Sequence, residues 1–151
     1  MIKTLQTIIV TMAMTLLSVS AHSEDSYTLP TDIFLEVSTG PKGQPLLSAS
    51  EFKLKSGRYY RFNFVCPDVE GDTAGFQFKA TDLVANSHIR VFSVGNIELY
   101  LQGQTFRAIQ CDEAGSARFS FYPMAKGDYE IAVSVSYSDP PQQALARVVV
   151  E

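Results

Sequence analysis

Histidine and cysteine are scarce in this 151-residue chain, which contains two residues of each. The sequence has neither a CxxC pair nor a G-x-S-x-G turn. A Ser-His-Asp arrangement would depend on His88 alone, and a structural zinc site normally needs four protein ligands. The sequence therefore predicts a protein that is not an enzyme and that holds no zinc.

Long hydrophobic runs are also missing, except at the amino terminus. There Lys3 is followed by LQTIIVTMAMTLLSVS, which has the charged start and the apolar stretch of a secretory signal peptide. Small residues permit cleavage after Ala21 or after Ser23. We expect residues 1–21 to be a cleaved signal peptide and residues 22–151 to form a single exported domain in the periplasm.

No later segment reaches the roughly 18 to 20 apolar residues of a membrane span, and no cysteine follows the leader to carry a lipid. The mature protein is therefore not expected to be embedded in a membrane.

Basic clusters are missing as well, and the 12 Lys and Arg residues are outnumbered by 16 Asp and Glu. This acidic balance argues against nucleic acid as a partner.

The chain does contain many short stretches in which apolar and polar residues alternate. In YYRFNFVC, for example, Tyr60, Phe62, Phe64 and Cys66 share one face, as in a half-buried strand. Similar stretches are separated by turn signals, and only ATDLVANS (80–87) could hold a helical turn. Short strands at this spacing predict an all-β, antiparallel sandwich or barrel, whose final strand at 144–150 we expect at a sheet edge.

Three motifs follow one another between Phe52 and Val135: FKLKSGRYYRF, FQFKATDLVANSHIRVFSVGNIELYLQG and RFSFYPMAKGDYEI. Their order resembles that of the periplasmic cupredoxin-like domains, in which a strand leads into Gly-x-Tyr and Phe-x-Pro precedes a second Gly-x-Tyr. The resemblance covers most of the mature chain. It implies a Greek-key β-sandwich, and it implies no activity by itself.

The electron carriers of that family hold type 1 copper with two histidines, a cysteine thiolate and a weak axial methionine. In those members the cysteine follows Gly-x-Tyr within a few residues and precedes a histidine. The corresponding place here is near Val133, and neither Cys nor His occurs after Cys111. His88 is the match for the upstream histidine, but one ligand does not make a site. The resemblance therefore implies a cupredoxin-like domain without the type 1 copper ligands.

The two cysteines are expected to form a structural disulfide. Cys66 and Cys111 each end a predicted strand just before an acidic turn, and an even number of cysteines in an exported domain favours pairing. Closing a loop of this length stabilises a fold by roughly 4 kcal/mol in the chain-entropy model. A metal or redox role for the pair is the less favoured alternative.

Two functional readings follow. The first is a non-catalytic periplasmic binding or accessory protein that has no cofactor and acts on an unidentified protein partner. The alternative is a copper carrier. Cleavage after Ala21 would place His22 at the mature amino terminus, where its amino group and imidazole together chelate Cu(II). His88 and the soft thioether of Met124 would complete the site. Against this, His22 could lie in a tail or be removed by cleavage after Ser23. His88 alternates with Ile89 and Val91, so its side chain is expected to point to solvent beside Arg90.

Two further features complete the set of candidates. DVEGD (68–72) resembles the start of a calcium loop but lacks its later ligands. Several of the tyrosines at 59, 100, 122 and 137 are expected to face outward on their strands, where they could stack on a sugar or contact a protein. Surface tyrosines more often simply cover a sheet.

Overall fold

The computed structural model describes residues 29–67, 75–95, 97–100, 105–136 and 138–151, with the backbone alone for 97–100. The predicted signal peptide, His22, the 68–72 segment and Tyr137 lie outside the described residues. No helix among the described residues is long and apolar enough to cross a membrane. The strands are β1 (Thr31–Thr39), β2 (Pro45–Leu47), β3 (Glu51–Leu54), β4 (Tyr60–Cys66), β5 (Phe76–Lys79), β6 (Ser87–Val94), β7 (Ile97–Tyr100), β8 (Ile109–Cys111), β9 (Gly115–Pro123), β10 (Gly127–Val135) and β11 (Gln143–Val150).

The strands form two sheets, which confirms the predicted all-β sandwich. The six-stranded sheet has the order β2-β1-β4-β9-β6-β7, and the five-stranded sheet has the order β3-β11-β10-β5-β8. Consecutive strands pass repeatedly from one sheet to the other. For this reason strands that are far apart in sequence, such as β4 and β9, are direct neighbours.

Both sheets are mixed, whereas the sequence analysis expected antiparallel pairing throughout. β1 runs parallel to β4, and β3 runs parallel to β11. The physical reason lies in the connections, because parallel neighbours need a long crossover. Between β1 and β4 the chain passes through β3, which belongs to the other sheet, and so returns in the same direction.

The last strand, β11, is not at a sheet edge, and that expectation is wrong. β11 pairs with β10 along eight residues on one side and with β3 on the other. The polar tract that precedes β11 correctly indicates a loop. Nothing in the local sequence shows that the distant strand β3 covers the outer side of β11.

The core lies between the two sheets and is dominated by phenylalanine. The inward residues of β4 are buried, which confirms the phase predicted from YYRFNFVC, and alternate apolar residues of β5, β9 and β10 are buried in the same way. The largest of these side chains are Phe62, Phe64, Phe76, Phe78, Phe119 and Phe121. Their burial removes a large apolar area from water, which is the main favourable term for the fold.

Helix α1 (Thr81–Ala85) lies where the sequence predicted a helical turn, between β5 and β6. It buries Leu83 and Val84 against the core. The Ser87 hydroxyl donates a hydrogen bond to the Leu83 carbonyl at 2.6 Å. This contact directs the chain from the helix straight into β6.

Cys66 and Cys111 are joined in a disulfide bond, as predicted. Each cysteine is the last residue of its strand, β4 in one sheet and β8 in the other. The bond therefore ties the two sheets together at one end of the sandwich, and both residues are buried.

Candidate functional site

Three chain segments meet at one end of the six-stranded sheet and enclose an open cleft of about 780 Å³. They are the turn at Gly57, the segment from Ala85 to His88 where α1 passes into β6, and the end of β9 from Tyr122 to Ala125. Gly57 has a φ of +73°, a left-handed conformation that glycine adopts without a steric penalty. We call this feature the cleft.

Backbone hydrogen bonds hold these three segments in place. The Gly57 N–H donates to the Pro123 carbonyl at 2.7 Å, and the Met124 N–H donates to the Asn86 carbonyl at 2.9 Å. The Ser56 hydroxyl donates to the Met124 carbonyl at 2.9 Å. The backbone of Met124 is thus fixed on both sides, while 61% of the residue remains exposed.

A cluster of aromatic and cationic side chains adjoins the cleft on the outer face of the same sheet. Tyr59 and Tyr122 stack with ring centroids 4.6 Å apart and an interplanar angle of 11°. The His88 ring lies 6.5 Å from that of Tyr122, and Arg90 Cζ lies 5.7 Å from the centre of the Tyr59 ring. We call these four residues the aromatic platform. His88 and Tyr122 belong to both the platform and the cleft.

Strand register brings the platform together. His88 pairs with Tyr122 across β6 and β9. Along the same pair of strands the register then shifts, so that Arg90 is the extra residue of a β-bulge between Ile89 and Val91. Bulges redirect a side chain at the sheet surface, and here Arg90 is exposed beside Tyr59.

The platform is held by a buried polar group beneath it. The Tyr59 hydroxyl donates to Ser120 Oγ at 3.1 Å, and Ser120 is only 5% exposed although it lies on the outward phase of β9. The Tyr59 ring covers it. With its hydroxyl bonded and one face stacked, Tyr59 has little freedom to move.

Some cations of the described surface form ion pairs with carboxylates and others do not. On the five-stranded sheet Arg147 pairs with Asp128 at 2.9 Å and with Glu51 at 3.6 Å. The hydrogen bond that Arg147 donates to Asp128, together with the negative charge of that carboxylate, raises the pKa of Arg147. Arg61 likewise lies 3.6 Å from Asp32. By contrast, no carboxylate among the described residues forms an ion pair with Arg90 or with exposed Arg58, which follows Gly57.

Two of the three predicted metal ligands, His88 and Met124, line the same cleft. His88 is exposed, as its outward phase on β6 predicts. His22 lies outside the described residues. Within the described part of the chain, no three His, Cys, Asp or Glu side chains are grouped closely enough to hold a metal ion.

Among the described residues no cysteine thiolate is available to a type 1 copper ion. Val133, near which the resemblance expects the cysteine ligand, has no exposed surface. It pairs with Phe78 on one side and with Ala144 on the other, inside the core. Both sulfur atoms of the cysteines are already used in the disulfide, which leaves no thiolate for copper.

The sequence analysis missed the platform as a unit. It placed Tyr59 and Tyr122 outward but treated them as scattered, because the pairing of β4 with β9 is not visible in the sequence. The side chains of Tyr100 and Tyr137 lie outside what the structure describes. The signal available was the shared outward phase of Tyr59, Tyr122 and His88.

No protein-family model matches the sequence. No curated protein is significantly similar to it.

Among solved structures, the chain is similar to a multicopper oxidase, with a TM-score of 0.50 and 7% identity over 80% of this chain and 44% of the oxidase. Auracyanin B has a TM-score of 0.48 and 11% identity, over 82% of this chain and 91% of its own. Auracyanin A, a "blue" copper protein from the green thermophilic photosynthetic bacterium Chloroflexus aurantiacus, has a TM-score of 0.44 and 15% identity, over 81% and 99%. The similarity to the oxidase supports the predicted cupredoxin-like fold, and at such identity it concerns the fold alone.

Proposed function

We propose that this chain is a non-catalytic, exported binding protein of the periplasm, built on a cupredoxin-like sandwich that does not use type 1 copper. The observation that carries the proposal is Val133, which is fully buried between Phe78 and Ala144 at the position of the expected copper cysteine. Because a core side chain and not a copper ligand occupies this part of β10, the sandwich serves as a scaffold for a binding surface.

The working surface in this proposal is the cleft with the aromatic platform. Tyrosine, arginine and methionine are enriched in protein interfaces, and Tyr59, Tyr122, Arg90 and Met124 place all three types side by side. The disulfide and the predicted leader both agree with export to an oxidising compartment.

Photo-crosslinking in living cells tests this function. A photoreactive residue replaces Met124 in the full chain, and the control carries the same residue at exposed Lys42, in the turn between β1 and β2 at the other end of β1. We expect one discrete crosslinked protein from position 124 and none from position 42. Equal patterns from both positions, or no crosslink from either, would contradict the proposal.

A second candidate, copper carriage by His22, His88 and Met124, is favoured by one observation. The Thr31 N–H donates to the Tyr59 carbonyl at 3.0 Å, so β1 begins beside the platform. Nine peptide units separate Thr31 from His22, and an extended chain of that length spans up to roughly 30 Å. The mature amino terminus is therefore long enough to reach a cleft lined by His88 and Met124.

Copper titration of the mature protein, followed by mass spectrometry under native conditions, tests this candidate. Cu(II) held by His22 and His88 should be lost in His88→Ala and in a chain that begins one residue later. Met124→Leu should weaken Cu(I) retention only. If copper binds equally well to all of these variants, this second candidate is wrong.

A further inference from the structure

We propose that the cleft and the aromatic platform form the docking surface for an acidic segment of a partner protein, one that also carries an apolar side chain. The inference rests on the proposed binding function and specifies the chemistry of the partner.

The charge around the cleft favours an acidic partner. The chain as a whole carries a formal net charge of −4, with 16 acidic and 12 basic residues. Around the cleft the balance is different: Arg58, Arg90 and Lys126 are exposed there, and the described residues that line the cleft include no carboxylate. The Ser56 N–H donates to a main-chain oxygen of Glu151, the last residue of the sequence, so one acidic residue lies close to this cationic surface. A local cationic surface on an acidic protein steers an acidic segment to this place and repels it elsewhere.

The arginines beside the cleft are available to bind the carboxylates of a partner. Arg90 contacts the face of Tyr59 through its guanidinium, a contact that leaves the N–H groups at the rim of the group free to donate. Arg61 and Arg147, in contrast, already face carboxylates. Guanidinium groups bind carboxylates in a bidentate manner, so Arg58 and Arg90 suit a partner rich in Asp or Glu.

The groups that form this surface are already held in place before a partner binds. Tyr59 is bonded to Ser120 Oγ and stacked on Tyr122, and the backbone of Met124 is held by Asn86 and Ser56. Ordering interface side chains costs affinity. A partner that binds here pays little of that cost, while the flexible thioether of Met124 adapts to the apolar side chain that enters the cleft.

A saccharide fits this surface less well than a protein segment. Sugar hydroxyls need free polar side chains, but the Tyr59 hydroxyl donates to Ser120, and the Asn86 side-chain N–H donates to the Asp82 carbonyl at 2.9 Å. The cleft is lined by the Met124 thioether and by the rings of Tyr122 and His88, and Arg90 lies beside it in the aromatic platform. These groups match an apolar side chain flanked by carboxylates.

Fluorescence anisotropy with defined probes tests the proposal on the mature protein. The probe is a short labelled peptide in which Glu alternates with Leu and Tyr, compared with the same peptide carrying Gln for Glu and with polygalacturonate. We expect binding of the acidic peptide, and affinity reduced roughly tenfold or more by Arg58→Glu combined with Arg90→Glu, because two attractive contacts become repulsive. The charge-matched control is Lys42→Glu combined with Lys79→Glu, which should leave the affinity unchanged.

Met124 provides a second pair of variants that does not depend on the arginines. Both Met124→Lys and Met124→Glu remove the thioether contact, but only the glutamate also repels the peptide's carboxylates, so Met124→Glu should reduce affinity for the acidic peptide more than Met124→Lys does. Since Met124 is 61% exposed, both substitutions are compatible with folding.

Equal binding of the Glu and Gln peptides, binding of polygalacturonate alone, or no effect of the arginine variants would overturn the acidic-segment proposal. Binding that appears only after Glu24→Gln and Asp25→Asn would show that the chain's own amino-terminal segment occupies the cleft, and would overturn it too. If the crosslink from position 124 persists in any of these cases, the binding function stands and only the partner chemistry is wrong.

Discussion

Tyr122 contacts Tyr59 on one side and His88 on the other, with ring centroids 4.6 and 6.5 Å away. The three rings come from the residue before β4, from β9 and from β6, which are neighbours in the six-stranded sheet. The row exists because residues with the same outward phase are brought side by side by strand pairing.

The stack between Tyr59 and Tyr122 should contribute measurably to stability. In a double-mutant cycle with Tyr59→Ala and Tyr122→Ala, we expect a coupling free energy of about 0.5–1.5 kcal/mol in urea unfolding. Tyr59→Phe keeps the ring and loses only the hydrogen bond to Ser120 Oγ, so it should cost less than Tyr59→Ala. Additive effects of the two alanine substitutions would show that the rings do not interact.

The disulfide between Cys66 and Cys111 should stabilise the domain because it joins the two sheets. Replacing both cysteines with alanine should lower the free energy of unfolding by about 2–4 kcal/mol. Reductant should destabilise the wild-type protein and leave the double variant unaffected. Identical urea curves for wild type with and without reductant would contradict a structural role for the bond.

Gly75 should not tolerate a side chain. A Cβ at this position would collide with the Cys111 carbonyl, and the Gly75 carbonyl also accepts from the Ser136 N–H at 2.8 Å. We expect Gly75→Ala to lower stability by about 1–3 kcal/mol. Gly115→Ala is the matched control, since a Cβ there meets nothing within 4 Å. Similar unfolding midpoints for the two variants would show that this contact does not limit the fold.

Asn63 is buried on the outward phase of β4, and its side-chain amide donates to Asp32 Oδ1 at 3.0 Å and to the Ile33 carbonyl at 3.1 Å. Asn63→Asp removes both donors and sets a carboxylate against these oxygens. We expect a loss of about 2–3 kcal/mol at neutral pH, which shrinks as acid protonates the introduced group.

Asn86→Asp is the control at an exposed position: it also loses a donated hydrogen bond, to the Asp82 carbonyl, and should cost less than Asn63→Asp because water solvates the introduced carboxylate. A pH-independent loss in Asn63→Asp, or equal losses in both variants, would show that the network around Asn63 is not responsible.

Local patterns in the sequence predict the strands well, because alternation reports which face of a strand is buried. The phases of Phe62, Phe78, Phe119 and Ile131 all follow it. The disulfide is equally predictable, since both cysteines end strands. Pairing between distant strands leaves no local trace, and for that reason the parallel pairs and the interior position of β11 differ from expectation.

The cleft could not be predicted from the sequence either, because pairing between distant strands leaves no local trace. The sequence analysis grouped His88 and Met124 as candidate copper ligands for their chemistry, and the structure brings them to one cleft because Met124 follows β9 and Asn86 precedes β6. The contact between Arg90 and Tyr59 could not be predicted, since a β-bulge cannot be located from alternation over so short a stretch.

Metal content and intact mass, measured together on protein secreted with its own leader, test most directly whether this sandwich works without copper. We predict a mature chain with substoichiometric copper and a mass two hydrogens below that of the reduced chain, as the disulfide requires. Copper equimolar with a chain that begins at His22 would contradict the scaffold function and establish the carrier in its place.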